Sequence, residues 1–402
     1  MKKNSKGQKP RKASSKKKES PAGRACEQRS QGQTKSEKFW IGLDLGDQES
    51  TYCVLDHRAE IVSRGKVKTR EADLKRVLGG YRGSQVAIEV GTHSSWISRV
   101  LEKEELEVVV ANARKVRLIT ESRQKNDAKD AEDLARLLKA DPKLLSPVVH
   151  RSEQAQKDLI RIRARAVMVE ARTKLINAAR GLAKSVGLRL KQCDADQVGT
   201  ELVEDWDGER KEILTPLLTL MEGSTLTIKL YDRQITENSE EKYPEIERLT
   251  QVPGVGTLTA TTFVLTLDDK HRMKNSRQVG PLLGMTPARK QSSQSDPELG
   301  ISKEGDRYLR TLLVQSAQGI LSRRGPDSEL KRFGLRIAGL EVGQPAAKPD
   351  RQSRKRKKIA VVAVARKLGV LLHRLWVTGE DYDPFYATKK RNQAKAPKKR
   401  VA

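Results

Sequence analysis

Phe39-Trp40-Ile41-Gly42-Leu43-Asp44-Leu45-Gly46 sets the reading of the first half of the chain. It is a run of β-forming and apolar residues closed by glycine, with one carboxylate, Asp44, inside it. Such a run, closed by turn residues, reads as a short strand. A carboxylate there costs several kcal/mol unless a cation or metal compensates it. Working outward, Ser50–Asp56 and Glu60–Lys68 read as two more strands, split by turn residues at Gly46–Asp47 and His57–Arg58. Helical periodicity then covers Arg70–Tyr81, a strand Gln85–Val90, a helix Trp96–Leu106, a strand Glu107–Asn112, and a helix Asp127–Ala140. The order β-β-β-α-β-α-β-α predicts a meander feeding parallel strands through helices, hence a mixed α/β sheet.

That order is shared by ribonuclease-H-like domains, and the expected fold class is an α/β ribonuclease-H-like N-terminal domain, a long helical middle and a mainly α C-terminal domain. The middle rests on two narrow apolar seams. One runs through Leu159, Ile162, Ala166, Val169, Thr173 and Ile176; the other follows a Thr215–Pro216 start signal through Leu217, Met221, Ser224, Ile228, Tyr231 and Ile235. They fit an antiparallel pair, an intermolecular coiled coil, or two ordinary core helices. The expected divisions are a disordered basic tail over 1–38, an α/β domain over 39–148, a helical coiled-coil linker over 149–245, a C-terminal domain over 246–385 and a second disordered basic tail over 386–402. Within the C-terminal domain, the basic run 343–358 reads as an exposed loop before a helix Ile359–Trp376.

The 402 residues carry 80 Lys and Arg against 52 Asp and Glu, a net charge of +28. Residues 1–38 hold +10 of it and 389–402 hold +7, so the body alone is +11 and a polyanion is the default partner. Aromatic residues make up only 4 %, too few for base stacking to be the main mode of recognition; phosphate contacts, shape, or pairing by another strand remain. Three scattered cysteines, Cys26, Cys53 and Cys193, argue against a disulfide framework and a structural zinc site and suit a reducing cytoplasm. The longest apolar run, Ile359–Ala365, falls far short of the ~18 residues of a membrane span, so no membrane partner is expected. No GxxxxGK[ST] motif is present, which removes the P-loop nucleotidases.

Four carboxylates carry the sharpest chemical signal. Asp44 lies within a strand, Glu89 ends another (Val86-Ala87-Ile88-Glu89), and Asp127 and Asp130 share one face of a helix start. Two Mg²⁺ ions at a scissile phosphate need such a set of hard oxygen ligands. Taken alone, Asp127 and Asp130 also suit the positive end of a helix dipole. Val252-Pro253-Gly254-Val255-Gly256 is compatible with a helix-hairpin-helix phosphate contact through Gly254 and Gly256, and equally with a plain turn between helices. The stretch Leu283–Arg310 sets Ser292, Ser293 and Ser295 beside Arg289, Lys290, Lys303, Arg307 and Arg310. A serine among cations can attack a phosphodiester, although composition favours a basic phosphate-binding loop with incidental serines. None of the five histidines has ligand spacing.

In the order GLDLG, IEVG, KNDAKDAEDLARLL, VPGVG, GMTPARKQSS, GISKEGDRYLRTLLVQSA and AVVAVARKLGVLLHRLW, these motifs resemble the DEDD transposases of the IS110 insertion-sequence family, over residues 39–385. The resemblance implies a RuvC-like N-terminal domain whose Asp44, Glu89, Asp127 and Asp130 bind Mg²⁺. It implies a C-terminal serine that attacks DNA covalently, here Ser292 by its offset from Pro287 with Ser293 as the alternative; Gln294-Ser295 follows this pair where the family usually has glycine. A bridge RNA as guide, element-end and target DNA as substrates, and a dimer or larger homo-oligomer joined through the coiled coil are implied as well. The expected activity is cutting and rejoining of insertion-element ends. A hydrolytic RuvC-like junction nuclease would keep the carboxylates and dispense with the serine, and a non-catalytic nucleic-acid-binding protein would need neither.

Overall fold

The computed structural model describes residues 37–112, 126–289, 299–341, 351–386 and 388–390. The two tails expected to be disordered and the serines of the 290–298 stretch fall almost entirely outside the described residues. The chain forms two compact units, 1–150 and 151–402.

The first unit is a five-stranded sheet in the order β3-β2-β1-β4-β5, made of β1 (Trp40–Asp44), β2 (Glu49–Leu55), β3 (Ile61–Lys68), β4 (Gln85–Glu89) and β5 (Glu107–Ala111). The first three strands form an antiparallel meander, while β4 and β5 run parallel to β1. This is a mixed sheet with flanking helices, consistent with a ribonuclease-H-like domain. Ile41, Leu43, Val54, Val86 and Ile88 are completely buried with Leu74 and Leu78 of α1 (Glu71–Leu78) and Ile97 and Leu101 of α2 (Ser94–Lys103). On the other face lies α3 (Asp127–Ala140), burying Ala131, Leu134, Ala135 and Leu138. Outer strand β3 is mostly exposed and ends in Lys66 and Lys68; charged side chains of this kind keep a free sheet edge from recruiting another strand.

Gly42 explains how closely α3 sits on the sheet. A Cβ at this position would lie 1.9 Å from the Ala131 carbonyl oxygen and 2.6 Å from the Ala135 nitrogen. Only a residue without a side chain lets the helix backbone rest on β1 there.

The second unit begins with two long helices, α4 (Glu153–Ser185) and α5 (Gly208–Lys242). They pack as an antiparallel pair within one chain. Leu159 and Ile162 share a cluster with Ile235, and Ile176, Ala179 and Ala183 share another with Leu214, Leu218 and Met221. Between these apolar ends buried Ile228 is accompanied by polar contacts, with Arg165 bridging Asp232 and Arg172 donating to the Thr225 hydroxyl. Two expectations change here. Thr215–Pro216 is not a helix start: α5 runs through Pro216 from Gly208, held across it by buried Leu214 and Leu218. The first seam is not continuous either, since Thr173 is exposed and Ala166 and Val169 are only partly buried.

The remainder is helical: α6 (Glu245–Thr250), α7 (Thr257–Leu267), α8 (Val279–Leu282), α9 (Arg307–Leu321), α10 (Glu329–Ala338) and α11 (Arg351–Thr378). Phe263, Leu249, Leu313, Leu368, Leu372 and Trp376 lie at the centre of its core. The basic run read as a loop over 343–358 is helical from Arg351. Its cations need no apolar face of their own, because the turns from Ala360 onward anchor the same helix in the core. No helix among the described residues is long and apolar enough to cross a membrane.

Candidate active site

The four carboxylates come from three elements. Asp44 is the last residue of β1 and Glu89 the last of β4, two strands paired in parallel register up to Leu43 and Ile88. Continuing that register by one residue brings Asp44 beside Glu89 at the carboxyl end of the sheet, where open α/β sheets bind ligands. Asp127 and Asp130 form the first turn of α3, which Asn126 caps by accepting the Ala128 N–H at 3.1 Å. Because Gly42 seats α3 directly on β1, this turn overhangs the strand end.

The negative charges of Asp127, Asp130 and Glu89 all act on Asp44. Asp44 is half-buried and its carboxyl is raised from 3.8 to about 6, first by burial and then by the negative charges of Asp127, Asp130 and Glu89. A raised carboxyl among other carboxylates is what a cation site looks like from the protein side. The all-oxygen donor set suits a hard divalent ion. Among the described residues, no three acidic, histidine or cysteine side chains already converge at ligand distance around one point, so the carboxylates would have to turn inward around an ion.

Three further residues, His93, Trp96 and Asp47, meet near the strand ends. His93, just after β4, accepts the Trp96 indole N–H on Nδ1 at 3.2 Å, which leaves the proton on Nε2 to be donated to Asp47 at 3.1 Å. This link ties the loop after β1 to the loop after β4, the strands that carry Asp44 and Glu89. The spacing of His93 and Trp96 on one helical turn was visible, but the partner Asp47 lies 46 residues away.

In the second unit, the Gly254–Gly256 turn joins α6 to α7. Gly254 has φ +83° and its missing Cβ would sit 2.9 Å from the Ser316 carbonyl of α9, so packing and backbone conformation both require glycine there. Gly256 has open space around it and caps α7 without a side chain. Ser292, like Ser293, lies outside the described residues, and the described backbone on either side of 290–298 is closely packed. Pro287 pairs with Ile301 in an isolated bridge, and the Gly284 and Gly305 backbones pass so close to Glu304 and Leu282 that a Cβ would meet their carbonyls at 1.9 and 2.0 Å. Asp306 caps α9 through the Leu309 N–H and pairs with Arg163 of α4. Arg289, Lys303 and Arg307 are exposed, whereas Arg310 donates to the Leu283 carbonyl at 2.9 Å.

Comparison with known proteins accords with both halves. A profile of DEDD transposases of the IS110 type matches residues 41–187, and one described as the Transposase IS116/IS110/IS902 family matches residues 246–332. The chain is similar to the transposase for insertion sequence element IS1111A of Coxiella burnetii, at 25% identity over 74% of this chain and 81% of that protein. It is also similar to a probable family 20 transposase of Pseudomonas aeruginosa, at 28% identity over 70% and 83%. A shorter stretch of 77 residues is 38% identical to the transposase of element IS1328 from Yersinia enterocolitica, covering 19% of this chain and 23% of that one. Motif order, sheet, carboxylates and relatives converge: the chain belongs to the IS110 family of DEDD transposases, DNA-processing enzymes of insertion sequences.

Proposed function

We propose that this transposase cuts and rejoins DNA strands at insertion-element ends under the guidance of a bridge RNA, with Asp44, Glu89, Asp127 and Asp130 holding Mg²⁺ and Ser292 as nucleophile. The observation that carries the reading is Asp44. A carboxyl raised to about 6 by burial and three neighbouring carboxylates is costly to the protein at neutral pH, and a divalent cation would offset that cost. When bound, Mg²⁺ supplies charge neutralisation at the scissile phosphate. The chain's own part is positional: β1 and β4 fix two carboxylates, and α3, seated by Gly42, brings the other two over them. In the serine step, Ser292 Oγ forms a bond to phosphorus as the bond to a deoxyribose oxygen breaks. The serine proton passes to solvent or a base and the released sugar hydroxyl takes up a proton, so a phosphodiester is exchanged rather than hydrolysed.

Cations at Arg289, Lys303 and Arg307, with the open α7 amino terminus at Gly256, support DNA-backbone contact near the serine loop. Exposed apolar residues on the helical pair, Ile160 and Val167 seven apart on α4 and Ile213 and Leu220 seven apart on α5, support a homo-oligomer joined there as a coiled coil. The experiment is Mg²⁺-dependent cleavage of element-junction DNA by the protein with its co-purified RNA. Asp44→Asn is expected to abolish cleavage while the protein stays folded; undiminished cleavage by that variant would remove the carboxylate site from the reaction.

A further inference from the structure

A cleft of about 710 Å³ lies in the second unit between α11, the start of α10, the turn Ser276–Gln278 and the segment 382–386. Its volume falls in the range of sites that enclose a small organic ligand. Its walls are fixed from within. Buried His373 donates from Nε2 to the Lys270 carbonyl at 3.0 Å, because a carbonyl can only accept, and its Nδ1 therefore accepts the Ser276 hydroxyl at 2.9 Å. This holds the turn against α11, while the Asn275 side chain accepts the Arg277 N–H. Opposite, the Pro384 carbonyl accepts the Glu329 N–H at 3.0 Å and the Tyr382 N–H is held by Gln251 at 2.9 Å.

The charge of the cleft is unbalanced in one direction. Its two acids are engaged by the protein itself: Glu329 accepts the Thr388 N–H, and Asp383 accepts the Phe385 N–H and pairs with Lys389 at 2.9 Å. Three cations face them. Arg277 makes no ion pair among the described residues. Lys367 sits over the Phe333 ring at 3.6 Å. Arg374 stacks 3.8 Å above the Tyr386 ring, and its Nε–H is shielded from solvent with no acceptor. Beside these cations lie Tyr382 and the apolar surface of Leu330, Val370 and Leu371. Cations for a phosphate beside aromatic and apolar surface for a planar ring describe a nucleotide.

We propose that this cleft binds one unpaired nucleotide of a nucleic-acid strand, with the phosphate on Arg277 and Arg374 and the base against Tyr382 and the α11 side chains. The proposal rests on the reading of the chain as a transposase that handles nucleic acid, and it adds a second recognition site built from residues other than the carboxylates and the serine stretch. An unpaired nucleotide enters more readily than a paired one because no base pair has to be broken.

The test uses the full-length protein in EDTA, so that nothing is cut, and the fluorescence anisotropy of two labelled duplexes differing only in one unpaired thymidine. The wild type is expected to bind the bulged duplex about five- to tenfold more tightly. Arg277→Gln/Arg374→Gln is expected to bring that ratio to one with affinity for the paired duplex little changed. Val370→Trp, which keeps every cation but fills the cleft, should do the same and guards against loss of fold in the arginine variant. A wild-type ratio of one, or a ratio that survives Val370→Trp, overturns the cleft as a nucleotide site. Absence of binding to either duplex by the wild type would instead contradict the underlying reading. Repeating the pair with a uridine bulge in RNA tells which strand chemistry the cleft takes.

Discussion

Replacing Gly42 by alanine adds one methyl group at the point where the active-site helix touches the sheet. The new Cβ would stand 1.9 Å from the Ala131 carbonyl oxygen, whereas ordinary contact requires about 3.4 Å. The backbone of α3 must therefore retreat by about 1.5 Å or tilt by an equivalent amount, at an overpacking cost of about 1–3 kcal/mol. Asp127 and Asp130 lie in the turn before Ala131, so they move with it while Asp44 and Glu89 stay on their strands. A misplacement near 1 Å at a catalytic centre costs about 10²-fold in rate. Gly42→Ala is thus expected to lower the melting temperature by several degrees and Mg²⁺-dependent junction cleavage by about 10²-fold or more. Gly80→Ala, where an added Cβ meets nothing within 4 Å, should leave both unchanged. The reasoning is refuted if Gly42→Ala cleaves as the wild type does.

Two further outcomes follow from the charges. Because the folded-state carboxyl of Asp44 is raised from 3.8 to about 6, its ionisation opposes folding: the group is neutral at no cost below about pH 4, and metal-free stability falls as pH rises from there through 6. Asp44→Asn should consequently raise the metal-free melting temperature at pH 7.5 by a few degrees, and the stabilisation conferred by Mg²⁺ on the wild type should grow between pH 5 and 7; a flat Mg²⁺ response, or an Asn variant that melts lower, contradicts this. At the start of α11, Arg351, Arg354, Lys355 and Lys358 are exposed at helical spacing on one face without any acidic residue in the first turn. If they contact phosphates, changing all four to glutamine should flatten the log-affinity against log-salt slope for duplex DNA by about 2–4; an unchanged slope removes that helix end from the interface.

Much of the first unit could be read from local pattern, because its strands are apolar runs and its helices have clear periodicity. Asp44 and Glu89 stood out for the same reason: a carboxylate inside or at the end of an apolar strand has few explanations. That Asp127 and Asp130 act on Asp44 was not local information, since it depends on α3 resting on Gly42. The second unit was less legible. Pro216 looked like a helix start because proline favours a first turn, but Leu214 and Leu218 bury on either side of it and tertiary packing carries the helix through. The cations from Arg351 to Lys358 resembled a solvated loop, although two charged turns continue readily from a helix anchored elsewhere. The cleft could not be read at all, since Arg277 and Arg374 are nearly a hundred residues apart and each is unremarkable in its own segment.

The central claim is that strands are exchanged through a serine rather than hydrolysed. It is tested most directly by incubating the wild type and Ser292→Ala, each with co-purified RNA, with Mg²⁺ and element-junction DNA, and resolving the products by denaturing electrophoresis. The account predicts a covalent protein–DNA adduct for the wild type that disappears in Ser292→Ala. Cleaved DNA without an adduct in either protein would contradict it and identify a hydrolytic nuclease.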